Sequence, residues 1–149
     1  MRYYLGIDPG KSGACVILSE DLKQVIHLAY NKVTPHDIAA QIILYREVIV
    51  KAYFEGVNAM PGQGVSSTFK FGENYGFWRG LLTGLEIPFE RVYPLKWQTA
   101  MSCRTGGNKN ISKARAQELF PKIKVTHAIA DALLIAEYCR RQHIQIKTL

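Results

Sequence analysis

Two apolar, β-prone stretches near the N-terminus predict strands at residues 2–8 and 13–19, and a Pro-Gly turn separates them. The segment from Gly6 to Ile17 reads GIDPGKSGACVI, so that Asp8 ends the first strand. Charged side chains are seldom buried without a partner. A carboxylate at the end of a buried strand therefore requires a metal ion, another cation or a set of hydrogen-bond donors.

The rest of the chain adds one more strand and then alternates between helix and strand patterns. A third strand is predicted at 23–30, and the short link before it indicates a hairpin. Thr34 as N-cap and Pro35 at the first helical position predict the start of a helix. Further strands are predicted at 50–57 and 87–94, and further helices at 68–85, 94–101, 111–120 (capped by Asn110) and 126–142 (capped by Thr126). Antiparallel strands followed by alternating units predict a mixed five-stranded sheet with helices on its faces, an α/β pattern that fits an RNase H-like fold.

Composition limits the classes of protein to consider. A chain of 149 residues with 48% hydrophobic residues is long enough for a real core, and we expect one domain over residues 1–149. No apolar run of 18 residues is present, so we expect no membrane span. Three cysteines without CxxC spacing predict reduced thiols and no zinc site. Because Asp8 stands where a signal peptide has its apolar stretch, we expect a cytoplasmic protein.

The positive charge is concentrated in the C-terminal part of the chain. Residues 1–90 have a net charge of −1, whereas residues 91–149 have one of +8. A polyanionic partner explains this asymmetry, because phosphate contacts draw Lys and Arg side chains to one face. A solvated basic surface is the alternative. Charge alone does not separate DNA from RNA or from an acidic membrane.

Three acidic residues occupy positions from which they can meet. Asp8 ends the first strand, Glu55 lies near the end of the fourth, and Asp131 lies on the last helix, four residues after His127. On their own, His127 and Asp131 are either a satisfied pair in the core or part of a site. If the first and fourth strands are neighbours, the carboxylates converge, and they repel one another unless a cation intervenes. Hard oxygen ligands favour Mg²⁺ or Mn²⁺, and two such ions suit phosphodiester hydrolysis.

The motifs GIDPGKSGACVI, YFEGV and HAIADALLIAEY, in this order and spacing, resemble the RuvC-type Holliday junction resolvases over nearly the whole chain. The resemblance implies that Asp8, Glu55 and Asp131, with His127 as the fourth residue, bind two divalent ions, Mg²⁺ or Mn²⁺. It also implies a nucleoid-associated homodimer that cuts two opposed strands of a four-way DNA junction and leaves ligatable nicks.

Two positions depart from the pattern of this family. The helix partner of the last Asp often lies three residues before it, which here is Ala128 rather than His127. The bacterial enzymes carry an aromatic wedge three residues after the fourth-strand Glu, and Asn58 occupies that position here. The following segment is longer in this chain, so that Met60 or Phe69 is a candidate for the wedge.

Basic residues and glycines supply further candidates. The loop CRTGGNKNISKAR resembles the phosphate-binding segment of the family, and Lys11 lies beside the turn that follows Asp8. The candidates for DNA contacts are Lys11, Lys96, Arg104, Lys109, Lys113 and Arg115, with a solvated surface as the alternative for each. The helix over 68–85 has a glycine every four residues, at 72, 76, 80 and 84. This bare stripe permits close approach of another element, which makes the helix our candidate for a dimer interface. Phe77 and Trp78 on the same helix are either core residues, the interpretation that we favour, or apolar contacts of that interface.

Three other functions compete with junction resolution. An actin-like or sugar-kinase fold also begins with a strand, an Asp and a glycine turn, but it needs a second phosphate loop and a longer chain. Another RNase H-fold nuclease, acting on branched DNA or structured RNA, would have the same acidic site. A non-catalytic DNA-binding relative is disfavoured because Asp8, Glu55 and Asp131 are all present.

Overall fold

The computed structural model of the protein describes residues 1–56 and 61–145, so that Asn58 and Met60 lie outside the described residues. Five strands form one sheet in the order β3-β2-β1-β4-β5. The strands are β1 (Tyr3–Asp8), β2 (Ala14–Ser19), β3 (Val25–Ala29), β4 (Ile49–Glu55) and β5 (Phe89–Val92). The first three are antiparallel, and β4 pairs in parallel with both β1 and β5. The predicted mixed five-stranded sheet is therefore confirmed.

Five helices follow the predicted order. They are α1 (Pro35–Tyr45), α2 (Val65–Gly84), α3 (Pro94–Ala100), α4 (Lys109–Leu119) and α5 (His127–Gln145). At the start of α1, the predicted cap is present: Thr34 accepts from the N–H of Asp37, and the Asp37 carboxylate accepts from the N–H of Thr34. Within the described residues, no helix has the length and apolar character needed to cross a membrane.

Two helix starts differ from the prediction. Helix α2 begins at Val65 rather than at Thr68. Helix α4 begins at Lys109, and its cap is Asn108, whose side chain accepts from the N–H of Asn110 at 3.1 Å. Gly106 and Gly107 both have positive φ, 55° and 93°, so that the chain turns into the helix earlier than the sequence pattern indicated. Asn110 is therefore a residue of the first turn and not the cap.

The sheet separates two apolar clusters because successive strand residues point to opposite faces. Tyr4 belongs to the cluster that includes Trp97 of α3 and Leu133 of α5, whereas Leu5 belongs to the cluster built on α1 and α2. The middle of helix α5 is deeply enclosed, with every residue from Ala132 to Ala136 fully buried. Its burial on β1 supplies a large part of the hydrophobic stabilisation of this layer.

The contact between β1 and α5 depends on Gly6. A Cβ atom on Gly6 would lie 2.2 Å from the carbonyl oxygen of Ala132 and 2.3 Å from the amide nitrogen of Ala136. The helix backbone therefore packs directly on the strand backbone. Since Asp8 is two residues beyond Gly6 and Asp131 is one residue before Ala132, this contact brings the end of β1 next to the first turns of α5.

Candidate active site

Three carboxylates meet where the parallel strands β1 and β4 end. Ile7 is paired with Phe54, so that Asp8 and Glu55, the next residues, lie at the same edge of the sheet. Asp131 reaches this edge from α5, and its charge affects the pKa of both other acids. The structure thus brings together the three acidic residues that the sequence singled out.

The environment of these carboxyl groups opposes their charge. The pKa of Asp8 is raised to about 6, chiefly by burial, although its Oδ1 accepts a hydrogen bond from the N–H of Gly10 at 3.1 Å. Burial and the charge of Asp8 raise the pKa of Glu55 to about 7. Burial also raises the pKa of Asp131. Cations bound to these groups would relieve both the loss of hydration and the mutual repulsion.

Asp131 has an unsatisfied oxygen. Its Oδ1 is buried and has no hydrogen-bond partner among the described residues. Ser112, Lys109 and His127 lie close enough to oppose the effect of burial on its pKa. A buried carboxylate oxygen without a partner is costly, so its presence at this position fits a ligand atom that is meant to bind a cation.

The donor set fits Mg²⁺ or Mn²⁺, which prefer carboxylate oxygens. Within residues 1–56 and 61–145, no three His, Cys, Asp or Glu side chains stand close enough to enclose one ion by themselves. Mg²⁺ commonly takes one or two carboxylates and completes its coordination with water and substrate phosphate oxygens. Asp8, Glu55 and Asp131 are suited to this open kind of site.

His127 is the first residue of α5 and is exposed, one turn before Asp131. Its charge lowers the pKa of Asp131, which places the imidazole at the rim of the acidic site. Ala128, the position at which the family often has its helix partner, is half-buried. The role of His127 as a fourth ligand stays a prediction.

Two buried residues of this site were not identified from the sequence. The indole Nε1–H of Trp97 donates to Oε2 of Glu55 at 2.8 Å. Ser112 is buried beside Asp131, and its hydroxyl donates to the carbonyl oxygen of Lys109 at 3.2 Å. A buried indole N–H needs an acceptor, and this need is the signal that could have pointed to Trp97.

The predicted DNA-contacting residues differ in their exposure and in their effect on the pKa of the three acids. Lys109 is exposed at the start of α4, and its charge lowers the pKa of all three carboxyl groups. Lys113 follows one turn later and is half-buried, whereas Lys11, Lys96 and Arg104 are exposed. Arg115 is engaged within the protein: its Nε donates to the carbonyl oxygen of Met101 at 2.9 Å, and its guanidinium pairs with Glu118. Arg115 therefore holds α4 against the end of α3.

The glycine stripe of α2 faces outward. A Cβ atom at Gly72, Gly76, Gly80 or Gly84 would meet no atom within 4 Å. Trp78 is 2% exposed and belongs to the core, which confirms the core alternative for this residue, because α2 buries this side of the helix against the sheet. The exposed apolar side chains of α2 are Val65 and Phe69, at 88% and 73%.

Sequence comparison with curated proteins finds a relative. The chain is 32% identical over 99 residues to the chloroplastic Holliday junction resolvase MOC1 of Chlamydomonas reinhardtii. The match covers 62% of this chain and 11% of that protein, so that the chain corresponds to a small part of its relative. No family model matches the chain.

Comparison with solved structures identifies the fold. Thermus thermophilus RuvC superimposes with a TM-score of 0.65 at 15% identity, over 98% of this chain and 97% of that one. RuvC of T. thermophilus in complex with a Holliday junction substrate superimposes with a TM-score of 0.64 at 15% identity, over 99% of this chain and 98% of that one. The yeast mitochondrial Holliday junction resolvase Ydc2 superimposes with a TM-score of 0.61 at 17% identity, over 99% of this chain and 81% of that one.

The solved structures show the fold of this chain. Its mixed five-stranded sheet flanked by helices is the fold of the RuvC-type resolvases over essentially its full described length. The resemblance predicted from the sequence motifs is therefore confirmed.

Proposed function

We propose that the protein is a divalent-metal-dependent endonuclease that resolves four-way DNA junctions by paired cuts. The observation that carries this proposal is the convergence of Asp8, Glu55 and the partly unsatisfied Asp131 at the ends of β1 and β4. The similar proteins support it: the curated relative is named a Holliday junction resolvase, and RuvC has been solved with a Holliday junction substrate.

Asp8, Glu55 and Asp131, with His127 as the fourth residue, would hold the ions. Two bound Mg²⁺ or Mn²⁺ ions would supply Lewis acidity to the attacking water and to the leaving oxygen of the phosphodiester. The chain contributes deprotonated carboxylates, and their raised pKa values mean that ion binding competes with protons near neutral pH. The ammonium group of Lys109, whose charge lowers the pKa of all three acids, would pair with an oxygen of the scissile phosphate.

The surface around the acids suits a DNA backbone. Lys11 precedes β2, Lys96 lies on α3, and Lys109 and Lys113 lie on the first two turns of α4, next to the loop that carries Arg104. The C-terminal region to which most of these residues belong holds the positive charge of the chain. We therefore assign phosphate contacts to these five residues, and a mainly structural role to Arg115 because of its contacts with Met101 and Glu118.

Paired cleavage requires two active sites. A four-way junction has approximate two-fold symmetry, and a C₂ dimer presents two equivalent sites to it. The outward-facing glycine stripe of α2 permits close packing against a second copy of this chain. Phe69, exposed near the start of the same helix, is the candidate for the wedge at the junction centre among the described residues.

A substrate panel tests the proposal. We expect the purified protein in Mg²⁺ to cleave a synthetic four-way junction at symmetrically related positions, and to cleave a flap, a linear duplex and a structured RNA far more slowly. Preference for the RNA would favour the RNA-processing alternative within the same fold. Absence of cleavage on every substrate in both Mg²⁺ and Mn²⁺ would contradict the assignment as a nuclease.

A further inference from the structure

We infer that Trp97 is a positioning residue for the metal site: its indole N–H fixes the carboxylate of Glu55 in the orientation that binds a divalent ion. The inference rests on the proposed function, because it assigns a task to Glu55 that only an ion-binding site requires. It adds a residue that lies in neither the acidic motifs nor the basic loop.

The indole is itself immobile. Trp97 is fully buried in the cluster that also contains Met101 and Leu133. It lies on α3, whose start is fixed by Pro94 at the first helical position, and the N–H of Met101 donates to the carbonyl oxygen of Trp97 at 2.9 Å. Core packing fixes the ring of Trp97, and the helix fixes its backbone. A donor that is fixed in this way can define the position of its acceptor.

The acceptor needs such a constraint. Glu55 ends β4 and has several rotatable side-chain bonds, and the charges of Asp8 and Asp131 repel it. Without an anchor, the carboxylate would gain free energy by turning away from the other two acids before an ion arrives. The 2.8 Å hydrogen bond to Oε2 prevents this rotation and leaves Oε1 available to a cation.

The chemistry of the donor also suits this task. An indole N–H only donates, so it cannot compete with the carboxylate as a ligand for the ion. It carries no charge, so it does not repel the ion as Lys or Arg would. Partners that orient a ligating group in this way typically change metal affinity by roughly 10- to 100-fold when they are removed.

A purely structural role for Trp97 gives a different expectation. If the ring only fills the core, replacing it by another aromatic ring changes stability but not ion affinity. The chain offers a matched control, because it has two tryptophans and the second, Trp78, is 2% exposed in the cluster on the other face of the sheet. Trp97→Phe and Trp78→Phe remove the same atoms at equally buried positions.

The deciding experiment measures Mn²⁺ binding in the absence of DNA. The electron paramagnetic resonance signal of the free ion reports how much Mn²⁺ is unbound. We expect Trp97→Phe to bind Mn²⁺ roughly ten-fold more weakly than the unmodified protein, and Trp78→Phe to bind it unchanged. Equal affinity in Trp97→Phe, or equal weakening in both variants, would overturn the inference. Thermal unfolding of each variant checks that it is folded.

A second measurement keeps the inference testable if Trp97→Phe does not fold. In Trp78→Phe the only tryptophan is Trp97, and paramagnetic Mn²⁺ bound at Glu55 would quench its fluorescence. We expect saturable quenching that Mg²⁺ reverses and that the added substitution Glu55→Gln abolishes. No quenching would overturn the inference. Because neither measurement uses DNA, failure of junction cleavage by the unmodified protein would count against the proposed function separately.

Discussion

Gly6 of β1 and Ala132 of α5 are in direct backbone contact, since a Cβ atom on Gly6 would lie 2.2 Å from the carbonyl oxygen of Ala132. Strand and helix are therefore closer than any side chain at this position would allow. Asp8 and Asp131 are each within two residues of this contact. Their approach is thus a consequence of one missing methyl group in the first strand.

Gly6→Ala should separate the two elements and damage both stability and activity. The added methyl group meets backbone atoms, which cannot rotate away, so we expect the free energy of unfolding to fall by about 1–3 kcal/mol or more. Urea denaturation measures the loss. Gly64→Ala is the control, because a Cβ there meets no atom and the extended backbone of Gly64, with a φ of −62°, is open to alanine. Equal stability of Gly6→Ala and the unmodified protein would contradict the close contact.

Glu55→Gln should stabilise the metal-free protein at high pH. The pKa of Glu55 is raised on folding to about 7 from 4.5, so the folded state binds more protons between these values, and the free energy of unfolding falls as the pH rises through them. Glutamine removes the charge and keeps an acceptor for Trp97. We expect a gain on the order of 1–3 kcal/mol at pH 8 that disappears near pH 4.

The test of this pH dependence is urea denaturation in EDTA at both pH values. Glu47→Gln, at a side chain that is 88% exposed, controls for the loss of one surface charge. A Glu55→Gln variant that is less stable than the unmodified protein at pH 8 would show that the carboxylate is not electrostatically strained in the absence of metal.

Neutralising Lys109 and Lys113 together should weaken junction binding and reduce its salt dependence. Each phosphate contact contributes roughly one unit to the slope of log affinity against log salt, so we expect the slope to fall by about two. The matched control is the double variant Lys23→Gln with Lys122→Gln. Both lysines border a groove beside the edge strand β3, which β2 separates from β1 and its Asp8. An unchanged slope in the Lys109 and Lys113 variant would mean that these residues form only a solvated surface.

A large residue in the glycine stripe should prevent assembly without unfolding the protomer. At Gly76 an added side chain has free space within one copy, so Gly76→Arg should fold, but it should sediment as a monomer and lose paired cleavage. Ala40→Arg places the same charge on an exposed position of α1 and should remain dimeric. An unmodified protein that is monomeric both free and bound to a junction, and still makes both cuts, would defeat the dimer proposal.

Local sequence signals predicted most of the fold. Strand patterns and the Thr34-Pro35 start of α1 each depend on a few neighbouring residues, and these elements appear where they were expected. The errors are also local. The start of α4 was displaced because Asn108 and Asn110 are equally good caps, and only the positive φ of Gly106 and Gly107 decides between them.

The site was predictable only in part. Asp8 and Glu55 were identifiable because a charge at the end of an apolar strand needs a partner, and parallel pairing brings such ends together. The hydrogen bond from Trp97 joins residues 42 positions apart and depends on how α3 packs on the sheet. The importance of Gly6 likewise depends on a tertiary contact that no local pattern encodes.

Asp8, Glu55 and Asp131 form, as we propose, a metal-dependent nuclease site for four-way junctions. The direct test compares cleavage of a labelled junction by the unmodified protein and by Asp8→Asn, in Mg²⁺ and in excess EDTA, with junction binding measured in parallel. We predict symmetric cuts only by the unmodified protein in Mg²⁺, a loss of about 10²-fold or more in Asp8→Asn, and binding by the variant that is equal or tighter because one negative charge facing the phosphate is gone. Robust cleavage in EDTA, or by Asp8→Asn, would contradict this account.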